Sequence, residues 1–197
     1  ALNKPLTTSG QAIVPLLANT SLELPLPEIL ISEKTQFIHQ LYKLSLHQFL
    51  KKTASAQNFQ AFKLIATYLV SMANTQPSQK YWQLVNYAFN HIDDLLLNDS
   101  RLRVLINIES HIALFLAAPE SFQPNLAAFA DILSIVIAQE DEIAHLIRNQ
   151  IHIGDETPTD TQLLVLSRHL FGPDFDTMHT VSQLILDEMN KVRNDIE

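Results

Sequence analysis

Eight histidines are the residues of this chain best suited to chemistry, because an imidazole can bind a metal ion, transfer a proton or accept a phosphoryl group. Histidine phosphotransfer requires an exposed imidazole on a helix, a nearby cation and a small neighbouring residue, usually in the pattern His-x-x-Lys-Gly. None of the histidines lies in that pattern, and the nearest match is His145, with Arg148 at the third position and Asn149 instead of glycine. The eight are His39, His47, His91, His111, His145, His152, His169 and His179.

We therefore expect no phosphoacceptor in this chain, and we retain His145 with Arg148 as the fallback candidate. A second pattern, Glu142 and His145, has the Glu-x-x-His spacing of carboxylate-bridged di-iron bundles, which need the motif twice. The chain contains it once, has no cysteine and contains no His-Glu-x-x-His zinc motif. We predict neither a metal nor another cofactor, and we interpret the pair as the solvent-exposed start of a helix.

Nucleophilic catalysis also lacks its sequence signals. The chain has only 3 glycines and contains no Gly-x-Ser-x-Gly motif of the kind that exposes a catalytic serine. The absence of cysteine excludes a thiolate nucleophile and a disulfide. We therefore predict no catalytic residue and no enzymatic activity in this segment.

The charge balance limits the possible partners. With 13 basic and 21 acidic residues, the formal net charge is −8, which disfavours binding to nucleic acid or to an anionic membrane. The longest nearly apolar stretch, 126–138, contains Asp131 and is too short to span a bilayer. The first residues lack the pattern of a signal peptide. We expect no nucleic-acid partner, no membrane insertion and a cytoplasmic location.

The elements that position these residues are predicted to be helices. Prolines interrupt residues 1–27, which indicates an extended arm or linker. From Glu28 the apolar residues recur at helical spacing, and short connections favour an antiparallel four-helix bundle over 28–118. Ser78 and Asp99 are the predicted N-caps of its third and fourth helices.

Three further helices are predicted over 119–197, either packing on the bundle or forming a second small bundle. The first, over 125–139, is apolar on nearly every side, which predicts deep burial. A short helix over 160–170 is followed by Gly172 and Pro173, which suit a helix end and a new helix start. The fold class is therefore all-α, with about seven helices in antiparallel, up-and-down bundles.

Two stretches carry a family resemblance. The first comprises KYWQLVNYAFNHI at 80–92 and SRLRVLINIE at 100–109, and the second begins LFGPDFDTMHTVSQL at 170 and continues to 197. Together they resemble the N-terminal phosphotransfer-like region of the type IV pilus chemosensory histidine kinases (ChpA/PilL) and of their kinase-less relatives (FimL). The resemblance spans 28–197 in order, and the Leu-Phe-Gly-Pro segment is its most specific part.

The resemblance implies a degenerate phosphotransfer-like module of a two-component, chemotaxis-like system that controls type IV pili and twitching motility. Its partners would be response-regulator receivers or pilus-assembly signalling proteins. Because His-x-x-Lys-Gly is missing, the phosphoaccepting role does not carry over, and a non-catalytic scaffold remains. Two alternatives stay open: an active phosphotransfer domain that uses an atypical histidine, and an unrelated helical adaptor or ligand-binding bundle. A kinase core would belong to a longer parent protein.

Overall fold

The computed structural model describes residues 10–18, 37–96, 98–154 and 158–171. Over these residues the regular structure is helical, without a β-strand, which confirms the prediction of an all-α helical bundle. Short 3-10 turns lie at Ile92–Asp94 and Pro119–Ser121. The α-helices are α1 (Gly10–Leu17), α2 (Ile38–Leu50), α3 (Ala56–Met72), α4 (Gln76–Asn90), α5 (Asp99–Ala117), α6 (Leu126–Val136), α7 (Glu142–Gln150) and α8 (Asp160–Phe171).

Helices α2 to α5 pack as neighbours around an aromatic core. Helix α2 contacts α3 and α5, and α3 contacts α4. Helices α2 and α3 are antiparallel, because Tyr42 near the start of α2 packs on Phe62, whereas Phe49 near its end packs on Phe59. The Tyr42 hydroxyl donates a hydrogen bond of 2.8 Å to the carbonyl of Leu105, which joins α2 to α5 inside the core.

A second aromatic cluster lies between α4, α5 and the segment that precedes α6. The indole of Trp82 stacks on Phe122 with ring centroids 5.4 Å apart, and it also contacts Phe115 at 5.2 Å. All three side chains are buried. Residues after α5 therefore complete the core that begins in the preceding helices.

Helix α6 is the most apolar helix of the described chain, and its burial confirms the prediction for this segment. Its side chains from Ile132 to Val136 are all buried, and the helix contacts α1, α4 and α5. A helix that is apolar on nearly every side is stable only when it is buried. The apolar surface of α6 therefore attaches it to the bundle. None of the helices in the described ranges is both long enough and apolar enough to cross a bilayer.

The contacts divide the chain into two compact units, residues 1–159 and 160–197. The bounds predicted from the sequence, with a four-helix bundle over 28–118 and an extension over 119–197, stay a prediction. Within the first unit, α6 buries its apolar surface against α4 and α5. In the second unit the structure describes α8, and the predicted final helix, with Gly172 and Pro173, lies outside the described residues.

Helix α1 replaces extended chain over part of the predicted arm. The prediction of an extended 1–27 was wrong for Gly10–Leu17, where Pro15 lies inside a helix that packs on α6. Burial of Ile13 and Leu17 outweighs the hydrogen bond that the proline removes. Gly10 allows the close approach, because a Cβ atom there would lie 2.9 Å from the Cα of Asp131. The rest of 1–27, apart from Ala18, lies outside the described residues.

Two predicted N-caps were wrong by a few residues. Helix α4 is capped by Thr75, whose hydroxyl accepts a hydrogen bond from the backbone N–H of Ser78. Helix α5 is capped by Asn98, whose side-chain oxygen accepts a bond of 2.9 Å from the N–H of Arg101. Ser78 and Asp99 lie inside the first turn of their helices. They were predicted because serine and aspartate are common N-caps, but Thr75 and Asn98 have equally suitable side chains.

Candidate functional site

His145 and Arg148, the fallback phosphoacceptor pair, both lie on α7, but only His145 faces the solvent. The His145 side chain is exposed, whereas Arg148 is only 2% exposed. The Arg148 guanidinium donates a hydrogen bond to the carbonyl of Gln139, in the segment between α6 and α7. The cation that a phosphoryl group on His145 would need is therefore held inside the fold by a structural bond.

The single Glu-x-x-His pattern does not become part of a larger ligand set. Glu142 and His145 both lie on the exposed side of α7. Within the described ranges, no group of three or more His, Asp or Glu side chains is arranged to hold a metal ion. Asp141, next to this pair, instead caps α7 by accepting a bond of 2.7 Å from the N–H of Ala144.

A hydrogen-bonded pair, the buried Tyr81 and the partly buried His111, joins α4 to α5. The Tyr81 hydroxyl lies 2.6 Å from Nδ1 of His111. Burial lowers the pKa of His111 and raises that of Tyr81, so both groups are neutral near pH 7. The hydrogen bond between the Tyr81 hydroxyl and the neutral His111 imidazole joins the two helices, and neither group carries a charge.

A surface cluster on α2 and α5 brings together the groups that phosphoryl chemistry would require. Nε2 of His39 forms a hydrogen bond with Oε1 of Glu109, and Nζ of Lys43 lies 3.3 Å from the same oxygen. The side chains of His39 and Glu109 are 28% and 23% exposed, and Lys43 is 58% exposed. We call these three residues the α2–α5 charge cluster.

The carboxylate of the α2–α5 charge cluster stays ionised over a wide pH range. The hydrogen bond from His39 is the main cause that lowers the pKa of Glu109, and Lys43 adds to this effect while partial burial opposes it. An ionised carboxylate bound to one ring nitrogen fixes the orientation of the imidazole. Lys43, one helical turn away, supplies a cation on the same face.

The sequence contained only half of this signal. His39 and Lys43 are four residues apart, which places both on one side of a helix, but the expected spacing for phosphotransfer is three. Glu109 lies 70 positions away in the chain, so its contact with His39 arises from the packing of α2 against α5. The structure thus draws attention to His39, which sequence reasoning had not singled out.

An apolar groove lies on the outer side of α2 and α3. Phe37, the residue before α2, is 57% exposed, and Leu41 and Leu44 of α2 are 38% and 66% exposed. Leu64 of α3 is 50% exposed. We call the depression between the two helices the α2–α3 groove. It has a volume of about 400 Å³ and is lined by Leu41, Ala56, Gln57, Gln60, Ala61 and Leu64.

Comparison with known proteins adds no relative to this description. No protein-family model, no curated protein and no solved structure matches the chain.

Proposed function

We propose that this chain is a non-catalytic docking module of a cytoplasmic, chemotaxis-like signalling system that controls type IV pili and twitching motility. The family resemblance of 28–197 supplies the pathway, and the α2–α3 groove is the observation that carries the docking role. The partners are response-regulator receivers or pilus-assembly signalling proteins. In this proposal the helical bundle presents a recognition surface, and no residue forms a covalent intermediate.

The α2–α3 groove supports docking because several large apolar side chains share one side of the bundle. Single exposed leucines are common on soluble proteins, but a contiguous apolar patch beside a depression is typical of interaction sites. Phe37, Leu41 and Leu44 follow the i, i+4, i+7 spacing that one helix uses to contact another. Covering a half-exposed leucine contributes about 1 kcal/mol, so four such side chains suit a reversible complex.

A binding titration tests the docking role. Receiver domains of a type IV pilus chemosensory system are titrated into the purified chain and followed by calorimetry. We expect at least one receiver to bind the wild-type chain. We further expect Leu64→Glu to weaken binding about tenfold, because an ionised carboxylate replaces an apolar contact.

The matched control for this titration is Leu114→Glu, since Leu114 lies on α5 and is 61% exposed. It makes the same chemical change outside the groove and should leave binding unchanged. Absence of binding by every receiver, or equal losses in the two variants, would contradict the docking role.

The α2–α5 charge cluster favours a second candidate function, phosphotransfer through the atypical histidine His39. In that reaction the free ring nitrogen of His39 would attack the phosphorus of a receiver aspartyl phosphate. The new N–P bond would form as the acyl O–P bond breaks, and the receiver carboxylate would leave. Glu109 would orient the ring, and Lys43 would balance the negative charge of the phosphoryl group.

Labelling distinguishes the two functions. The chain is incubated with a receiver that carries radioactive phosphate, and acid-labile, base-stable label is measured. The docking proposal predicts no phosphohistidine. Label that disappears in His39→Gln and persists in His145→Gln would establish the second function and overturn the non-catalytic one.

A further inference from the structure

The helices that form the α2–α3 groove belong to a stretch of the sequence without acidic residues. Residues 37–92, which include α2, α3 and α4, contain five lysines and no Asp or Glu, although the whole chain has a net charge of −8. The balance over this stretch is therefore positive, and the excess of acidic residues lies elsewhere in the sequence.

The lysines on α2, on α3 and in the loop between these helices differ in whether a carboxylate neutralises their charge. Lys43 lies 3.3 Å from Glu109, and Lys63 lies 3.4 Å from Asp93, so these two have carboxylate partners from outside residues 37–92. Lys51 and Lys52 follow the end of α2, are exposed and form no ion pair with any described residue. They precede, by four to six positions in the chain, Ala56 and Gln57, which are among the residues that line the groove.

The lining of the groove itself is uncharged. Leucine and alanine side chains form most of it, and the amides of Gln57 and Gln60 supply the polar contacts. A helix that binds here needs an apolar stripe for the groove and anionic side chains beside that stripe for the lysines. Charge complementarity of this kind favours association and excludes partners with basic flanks.

From this combination we propose that the α2–α3 groove binds an acidic amphipathic helix of a partner protein. The apolar stripe of that helix packs along Leu41, Leu44 and Leu64. Its carboxylates lie near Lys51 and Lys52. The inference rests on the proposed docking function and specifies the chemistry of the partner.

Other occupants fit the observations less well. An anionic membrane or a polynucleotide would favour a dense array of cations, whereas the groove is lined by apolar and amide groups. A second copy of the chain could not use α2, α3 or α4 to contact these lysines, because those helices contain no Asp or Glu. Each of these alternatives becomes a measurable outcome of the experiment below.

The experiment uses a designed helical peptide of about 18 residues as its probe. Leucines occupy one stripe of the probe, and glutamates flank that stripe. A second probe has lysine in place of each glutamate. Binding to the full chain is followed by fluorescence anisotropy. We expect the glutamate peptide to bind at least about tenfold more tightly than the lysine peptide, and we expect salt to reduce that difference.

Variants of the chain locate the binding surface. Leu41→Glu and Lys51→Glu should each weaken binding of the glutamate peptide several-fold. Leu114→Glu and Arg103→Glu, which make the same changes at exposed positions of α5, should leave it unchanged. Circular dichroism establishes that each variant is folded, and the variants at exposed positions leave the core intact.

Several results would overturn this inference. They are equal binding of the two peptides, no binding of either, and binding that Leu41→Glu does not affect. Self-association of the wild-type chain that Leu41→Glu abolishes would assign the groove to a second copy. Sedimentation with anionic vesicles that Lys51→Glu abolishes would assign it to a lipid surface. If receivers bind and Leu64→Glu weakens that binding while Lys51→Glu does not, and the two peptides bind equally, the inference fails while the docking function stands.

Discussion

At the scale of single residues, the packing of the helices decides which partner each of three described histidines has. His111 is bonded to a buried tyrosine, and His145 is exposed while its candidate cation, Arg148, is buried. His39, in contrast, shares Glu109 with a lysine at the surface. Residue spacing along one helix could not predict these contacts. The contacts of His39 and His111 join helices that are distant in the chain, and the separation of His145 from Arg148 depends on which side chain is buried.

The α2–α5 charge cluster predicts a pH-dependent contribution to stability. The pKa of Glu109 is lowered in the folded chain from an ordinary value of 4.5, so its contribution is complete above that value. It is lost as the pH falls through the lower, folded pKa. Because the cluster is partly exposed, we expect Glu109→Gln to cost less than about 1 kcal/mol at pH 7.

Urea unfolding of the wild-type chain and Glu109→Gln measures this contribution. The difference in free energy of unfolding should be present at about pH 7 and should shrink as the pH is lowered below 4.5. Glu142→Gln is the matched control, since Glu142 is exposed on α7 and forms no ion pair with a described residue. A difference for Glu109→Gln that stays constant over this pH range would contradict the pKa assignment.

At the scale of elements, apolar periodicity was sufficient to predict most helices, because each buries one face against a neighbour. It could not identify the first residue of a helix where several cap-forming side chains adjoin. In TQPS at 75–78 and ND at 98–99, more than one residue has the chemistry of an N-cap. The backbone conformation, which is extended at Thr75 and Asn98, decides which side chain closes the helix.

The cap of α5 gives a direct comparison between adjacent residues. We expect Asn98→Ala to lower the free energy of unfolding by about 1 kcal/mol, because the N–H of Arg101 loses its acceptor. Asp99→Ala should cost about 0.3 kcal/mol, the electrostatic contribution of one anion in the first turn. Chemical denaturation of both variants measures the two values. A larger loss for Asp99→Ala than for Asn98→Ala would restore the original assignment.

At the scale of the whole molecule, the largest departure from the sequence-based prediction concerns what completes the core. The prolines of the first segment indicated an arm, yet Gly10–Leu17 is a helix on α6. A local rule such as proline avoidance is overridden here by burial against an apolar partner. That partner, α6, could be recognised from its own sequence, but the helices on which it packs could not.

Two fragments test this dependence on α6. A fragment of residues 1–159 should unfold cooperatively, with the emission of a buried tryptophan. A fragment of residues 1–118 lacks Phe122, which stacks on Trp82, and lacks α6, so its tryptophan emission should be that of an exposed indole. Cooperative unfolding of 1–118 with a buried tryptophan would show that the four preceding helices form an independent domain.

The docking surface is tested most directly by nuclear magnetic resonance of leucine methyl groups during titration with a receiver domain. Our account predicts that signals of Leu41, Leu44 and Leu64 shift with added receiver, and that the signal of Leu114 on α5 stays in place. A receiver that binds while the groove leucines remain unshifted, or that shifts Leu114 instead, would contradict the assignment of docking to the α2–α3 groove.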